Sequence, residues 1–332
     1  MVQAPKPQIS GESTIPPGLL DFIREGEKFL IAGHKEPDGD CVGSQIVLAS
    51  VLQKLGKETI LCSAGPFKRS EIKQYENLFY SAPEGNWGSD FRVILVDCSS
   101  LERTGDISKY LEGRPMAVID HHEAGDFANN TFFIEENATA ATVLVLKLIL
   151  ALGLQPDREE AGFLFLGLCT DTGFFRHVDE NGAETFEVAA ALIRAGANPK
   201  AAYSAIYGGK SFDSRRSMGH VLARTESLFD GKLLLSSEDY DDVCRFGLDG
   251  RDSDSMYQLL QTVEGMEAIV FIRQETPEKC AVGFRSRSSV DVGSIAMSFG
   301  GGGHKNAAGV SIPGTVAEIR QKIIDIFEKI FI

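Results

Sequence analysis

From Pro16 onward, short apolar runs alternate with stretches in which apolar residues recur at helical spacing. The pattern predicts a helix over 19–26, a strand over 29–33 and a helix over 43–55 that stops at Gly56. Further strands are expected at 58–62, 92–97 and 116–120, each short and rich in Val, Ile or Leu. Strand and helix in alternation are the rhythm of a parallel sheet, and near-continuous apolar strands belong in a sheet covered on both faces. A long helix is expected over 138–152, ending near Gly153. The apolar run 163–170 is too short for periodicity to separate a buried strand from a buried helix.

After Asp171 the spacing predicts a helix over 183–195 capped by Gly196, then a polar stretch over 208–216 that reads as an interdomain connection. The remainder carries strand signals at 232–236, 267–273 and 279–285 and helical signals at 253–263 and 316–330. The expected fold class is α/β: a loose arm over 1–14, a parallel-sheet catalytic domain over 15–200, a linker over 201–216 and a smaller α+β domain over 217–332. No internal repeat or low-complexity tract interrupts this order.

Composition narrows the function classes. At 332 residues and 43% hydrophobic content, two domains with full cores are expected and intrinsic disorder is excluded. The longest apolar stretch, 140–154, is broken by Lys147 and falls short of the ~18 residues of a membrane span. The first twenty residues lack the basic and apolar regions of a secretory signal, so a cytoplasmic protein is expected. Six cysteines without a C-x-x-C pair are expected to stay reduced. Asp and Glu number 47 against 33 Lys and Arg, a formal charge of -14. That balance argues against a protein that coats long nucleic acid through a basic face, but leaves room for a small anionic substrate in a local site.

The His and Asp residues fall at the ends of the apolar runs. FLIAG is followed by His34-Lys-Glu-Pro-Asp38-Gly-Asp40, RVILV by Asp97, MAVI by Asp120-His121-His122 and FLFLGLCT by Asp171. Ligands of open parallel sheets bind outside the carboxyl ends of the strands, so these groups can converge on one crevice. Any single Asp here is more simply a helix cap. Convergent carboxylates, however, repel unless countercharge is present. Two divalent cations would supply it for Asp38, Asp40, Asp97 and Asp171, with neutral imidazoles of His34 and His121 completing the shells. A His and Asp set without Cys suits Mn2+ or Mg2+ better than structural zinc, and a pair of such ions can hold a phosphoryl oxygen and activate water. Cys41, Cys98 and Cys169, beside these ligands, read as packing residues.

These segments resemble the ordered motifs of the DHH phosphoesterase superfamily, whose members include RecJ-like exonucleases and family II pyrophosphatases. Residues 282–309, VGFRSRSSVDVGSIAMSFGGGGHKNAAG, resemble the DHHA1 domain, which sets the chain apart from the pyrophosphatase branch. Together they are similar to the nanoRNase branch, oligoribonucleases that also hydrolyse 3'-phosphoadenosine 5'-phosphate (pAp), over nearly the whole chain from about Gly18. The resemblance implies that His34, Asp38 and Asp97 hold one metal, and that Asp40, Asp97, His121 and Asp171 hold the other with Asp97 bridging. It implies that Asp120 orients its neighbours, that His122 faces the scissile phosphate and that 163–170 is helical. His177, after the DTGFFR segment, reads as a loop residue.

In the second domain, four Lys or Arg between Lys279 and Lys305 meet one acid, Asp291, on an otherwise acidic chain. The run Gly300–Gly303 can bring backbone N–H groups close to an anion, with His304 next to it. Arg285, Ser286, Arg287, Gly301, Gly302, Gly303 and His304 are therefore the expected substrate-binding residues. Lys210, Arg215 and Arg216 are weaker candidates, and His220 is given no role. The expected protein is a two-metal phosphoesterase whose domains face one another across a cleft. Its substrates would be short RNA, linear dinucleotides and pAp, with no stable binding to long nucleic acid and no membrane partner. A homodimer is open. A RecJ-like single-strand DNA exonuclease would predict a basic groove with interleaved aromatics, which is absent. A nucleotide sensor that had lost catalysis could dispense with the bridging carboxylate, which is present.

Overall fold

The computed structural model describes residues 15–83, 88, 90–122, 131–247, 252–287 and 289–331, so the expected arm over 1–14 lies outside the described residues. The chain divides into two units, Met1–Gly208 and Gly209–Ile332. In the first, α1 (Pro17–Glu25), β1 (Lys28–Ala32), α2 (Gly39–Lys54), β2 (Glu58–Cys62), β3 (Arg92–Val96), α3 (Ser108–Leu111), β4 (Met116–Asp120) and β5 (Thr131–Ile134) precede four helices. These are α4 (Ala141–Ala151), α5 (Arg158–Asp171), α6 (Ala183–Ala195) and α7 (Pro199–Tyr207). All five strands are parallel in the order β2-β1-β3-β4-β5. The chain therefore leaves β1 toward one edge and returns at β3 to build toward the other, which opens a crevice at their carboxyl ends.

The apolar strands are buried on both faces, as their composition requires. Phe29, Ile31, Ile94, Val96 and Ile119 pack beneath the helices on one side, while Leu30, Ala32, Val93, Leu95 and Val118 meet Ile107 and Leu111 on the other. The ambiguous run 163–170 is helical, as the family resemblance implied. It is the second half of α5, which begins in a capping box between Asp157 and Glu160. Lys147, which interrupts the apolar stretch, is buried in α4 between Glu135 at 2.7 Å and Glu184 at 2.9 Å. Among the described residues no helix is long and apolar enough to cross a membrane.

Glycines set how closely α2 and α5 approach. A Cβ at Gly43 would lie 2.7 Å from the Phe163 carbonyl oxygen, one at Gly39 2.7 Å from the Thr170 side chain and one at Gly167 2.5 Å from Thr142 Cγ2. This contact carries Asp171, the last residue of α5, to the end of the sheet where α2 starts. Helix α2 begins at Gly39 rather than at 43 because Asp38 accepts from the N–H groups of Asp40 and Cys41.

The expected linker over 201–216 is mostly helical. Asn198 caps α7, Ser211 caps α8 (Phe212–Ala223), and only residues 208–211 lie between them. The second unit continues with β6 (Glu226–Leu228), β7 (Leu233–Glu238), α9 (Tyr240–Phe246), α10 (Ser253–Leu260), β8 (Ala268–Thr276) and β9 (Lys279–Ser286). It ends with α11 (Val292–Ser298), β10 (Gly302–His304), β11 (Ala307–Pro313) and α12 (Val316–Phe331). The sheet order is β10-β11-β9-β8-β7-β6, antiparallel except for the β7 to β8 pair. One face packs Val270, Val282 and Phe284 against Ile319, Ile323 and Phe327 of α12. On the other, Met256, Tyr257 and Leu260 of α10 cover Ile269 and Phe271.

Two alanine substitutions test the helix contact. Gly43→Ala meets a backbone carbonyl that cannot move aside and should destabilise the fold by about 1–3 kcal/mol. Gly162→Ala, also helical but with nothing within 4 Å of the added carbon, should stabilise it by up to about 1 kcal/mol. Chemical denaturation of both variants provides the comparison, and equal effects would contradict the packing.

Candidate functional site

The loops after β1, β3 and β4 converge with the C-terminus of α5. Asp97 follows β3 with a positive φ of 58°, a conformation uncommon outside glycine, while its N–H still bonds Ile119 O at 3.0 Å. The ladder thus ends and the side chain turns into the crevice. His34 Nε2 lies 3.3 Å from Asp97 Oδ2, and His121 Nε2 lies 3.4 Å from Asp97 Oδ1. His121 Nε2 is also 3.5 Å from Asp171 Oδ2 and 4.0 Å from Asp40 Oδ2. Asp38 Oδ1 stands 4.0 Å from His34 Nε2. All six residues expected as metal ligands are therefore gathered at one place.

Caps hold several of them. Asp40 is fully buried, and its two oxygens accept from Ala141 N at 2.6 Å and Thr142 N at 2.9 Å, so that α2 supplies the cap that α4 lacks. Asp120 Oδ1 accepts from the backbone N–H groups of His121 and His122, at 2.8 and 3.2 Å, and sits 2.8 Å from His122 Nδ1. His121 Nδ1 lies 3.1 Å from Ala138 O, a placement that directs Nε2 inward. Asp38 and Asp40 thus serve as helix caps while standing within the same cluster of carboxylates and imidazoles.

Burial and charge crowding together set the electrostatics of this cluster. Burial alone would lower the imidazoles, but Asp97 with Asp38 raises His34 to about 9, and Asp97, Asp171 and Asp40 raise His121 to about 9. Burial would raise Asp97, yet the two imidazoles hold it down at about 2. Burial and the charges of Asp97, Asp171 and Asp38 push Asp40 well above the carboxylate range. Burial, with Asp97 and Asp38 acting against His121, lifts Asp171 to about 6.

The donor set fits a divalent metal centre. Asp97 Oδ1, Asp120 Oδ2 and His121 Nε2 are buried without hydrogen-bond partners. Ligand atoms lie within 4.8 Å of one another in three overlapping groups: Asp40, His121 and Asp171; His34, Cys41 and Asp97; and Asp97, Asp120, His121 and His122. Cys41 enters one group, but burial and the charges of Asp97 and Asp38 raise its thiol far above its usual range, which leaves a neutral packing side chain. Cys98 and Cys169 are also buried free thiols. His177 stays in its loop beside Arg176, 3.2 Å from Nη2.

In the second unit, Arg285, Gly302 and Gly303 line an open cavity of about 670 Å³. Strand register places Arg285, Ala307 and His304 in one row across β9, β11 and β10, so Arg285 and His304 stand about 9–10 Å apart. The glycines serve the hairpin first. A Cβ at Gly301 would lie 2.4 Å from Gly309 O and one at Gly303 2.5 Å from Ala307 O, whereas Gly302 has open space beside it.

Four expected binding residues do not line this cavity. Ser286 is buried and its hydroxyl donates to Val290 O at 2.7 Å, Arg287 donates to Gln261 O at 3.0 Å, and Gly301 and His304 stand outside the lining. Arg215 and Lys210 pair with Asp252, and Arg216 with Asp213. The sequence reading missed Tyr257, Arg273 and Glu275, which line the same cavity. Strand alternation was the available signal for Arg273, which pairs with Ala281 on the face that carries Arg285.

An open parallel sheet that gathers buried carboxylates and imidazoles, joined to a mixed sheet with an arginine-lined cavity, has the parts of a two-domain phosphoesterase. Residues 28–168 match the DHH family, N-terminal domain, and residues 234–331 match the DHHA1 domain. The chain is 31% identical over 313 residues to the bifunctional oligoribonuclease and PAP phosphatase NrnA of Thermus thermophilus, covering 94% of this chain and 91% of that one. It is 23% identical over 302 residues to the protein of the same description from Bacillus subtilis, covering 89% and 92%. The crystal structure of an exopolyphosphatase-related protein from Bacteroides fragilis shares the fold with a TM-score of 0.78 at 22% identity, covering 95% and 94%. The chain belongs to the DHH and DHHA1 family of phosphoesterases and is a hydrolase of that class.

Two substitutions in chelator-treated protein separate the structural carboxylate from the crowded one. Asp40→Ala leaves two buried N–H groups of α4 without acceptors, at about 1–3 kcal/mol each. Asp171→Asn should instead stabilise, because a carboxylate raised from 3.8 to about 6 by folding weighs against the fold wherever it is ionised. That gain should be full above about pH 6 and vanish below 3.8. Denaturation at pH 8 and pH 4 measures both, and a destabilised Asp171→Asn protein would contradict the crowding.

Proposed function

We propose that the chain is a two-metal phosphoesterase that hydrolyses short oligoribonucleotides, linear dinucleotides and pAp. The observation that carries this reading is the overlap of three groups of His, Asp and Cys ligand atoms, each group within 4.8 Å, linked through Asp97 and His121. His34, Asp38 and Asp97 would hold one ion and Asp40, Asp97, His121 and Asp171 the other, with Mn2+ the best match and Mg2+ the alternative. Bound there, the pair supplies positive charge to phosphoryl oxygens and makes water a nucleophile at neutral pH.

The remaining work falls to protein groups. Asp120 accepts the Nδ1 proton of His122 and orients the half-exposed ring, so that in the imidazolium form the Nε2 proton can be donated to the scissile phosphate or its leaving oxygen. In the second unit Arg285 would provide an anion-binding group, with His304 in the same row of the sheet. Both relatives named above combine an oligoribonuclease and a PAP phosphatase in one chain of matching extent. A net charge of -14 favours short substrates, since a long polyanion would meet an acidic surface beyond the site.

Asp97→Asn should abolish turnover with the fold retained, and chelation should stop the reaction until Mn2+ is restored. Full activity in protein shown by elemental analysis to be metal-free would refute the metal role. Arg285→Ala and His304→Ala should keep metal stoichiometry while losing roughly 10- to 150-fold in kcat/KM. Rates on pAp, linear pApA and RNAs from two to about 24 nucleotides test the substrate class. We expect kcat/KM to fall with length, and the fall to be partly relieved by salt, which screens exposed charge over ~8 to 10 Å. Equal or better processing of the longest RNA at low salt would favour the exonuclease reading.

A further inference from the structure

Tyr257, on α10, is only 6% exposed, and its hydroxyl is buried without a hydrogen-bond partner. Its place on the sheet depends on a glycine, because a Cβ at Gly283 would fall 2.2 Å from Tyr257 Oη. The face of the ring carries the Arg285 guanidinium at 4.4 Å, a cation–π contact. Arg285 donates from Nη1 to its neighbour's carbonyl, Phe284 O, at 2.9 Å. Tyr257 and Arg285 line the same open cavity, whose floor is Gly283, Ala281, Ala307 and Gly309 in register across β9 and β11. Arg273 lines it too, and its Nε is a second buried donor without a partner.

A buried hydroxyl without a partner weakens the fold, and phenylalanine would keep the shape and the ring without that loss. Two buried donors without hydrogen-bond partners and a guanidinium stacked on an aromatic ring, all on residues that line one cavity, describe a site for an anionic, acceptor-rich group. We propose that Tyr257 is a ligand-binding residue of this cavity: its hydroxyl donates to an oxygen of the phosphate that Arg285 neutralises, and its ring sets the plane of that guanidinium. The proposal rests on the reading of this cavity as the substrate cradle.

The test is Tyr257→Phe in the Mn2+-loaded enzyme, with pAp as substrate and Arg285→Ala alongside. The expected result is a KM for pAp raised about tenfold at unchanged kcat. The thermal midpoint of the ligand-free variant should stand at or above that of the wild type. Tyr257→Leu, which also removes the ring face, should raise KM further toward the Arg285→Ala value. Unchanged KM in Tyr257→Phe beside a raised KM in Arg285→Ala would overturn the role of Tyr257 and leave the cradle reading standing. Unchanged KM in Arg285→Ala would overturn the cradle reading itself. A raised KM accompanied by a lowered thermal midpoint would mark Tyr257 as structural and also overturn the proposal.

Discussion

Repulsion among carboxylates at the carboxyl ends of β1, β3 and β4 is the condition to which the rest of the first unit answers. Asp97 sits almost fully buried at the centre and stays ionised because His34 and His121 flank it. Asp40 and Asp171, a few ångströms away, are driven toward protonation by burial first and by that same charge second. Such a group is unfavourable as a purely structural device, since apolar residues of similar volume would pack without the repulsion. It is intelligible as a charge deficit for divalent cations to fill.

The fold carries this arrangement through local devices that serve two ends at once. Asp38 starts α2 and Asp40 caps α4, so the acids that would meet a metal also fix the helices that present them. Close contact between α2 and α5, made with Gly39, Gly43 and Gly167, sets the position of Asp171. In the second unit the logic is similar. Glycines admit a tight hairpin at β10 and β11 and the hydroxyl of Tyr257 at β9, and the floor they leave is bare enough for a ligand.

Much of this was legible in the residues. Apolar strands ending in Asp or His announced both the parallel sheet and the position of the site, because the same geometry that buries a strand presents its carboxyl end to the crevice. The run 163–170 was not decidable by periodicity, since a helix packed on several sides loses its polar face; the capping box at Asp157 was the informative signal. The linker was overestimated because polar, glycine-bearing sequence can still be helical when Asn198 and Ser211 cap it. Ser286 and Arg287 looked like phosphate ligands by proximity to Arg285, but strand alternation and a local turn direct them elsewhere. Tyr257 was invisible because an aromatic on an amphipathic helix reads as core until its hydroxyl is seen to lack a partner.

In the proposed function the crowded carboxylates hold two adjacent divalent ions bridged by Asp97. Electron paramagnetic resonance of the protein titrated with Mn2+ tests it most directly, because bridged Mn2+ ions couple magnetically and isolated ones do not. The expected spectrum is spin-coupled, complete at two equivalents in the wild type and replaced by an uncoupled signal in Asp97→Asn. A single uncoupled ion at saturation in the wild type would contradict it.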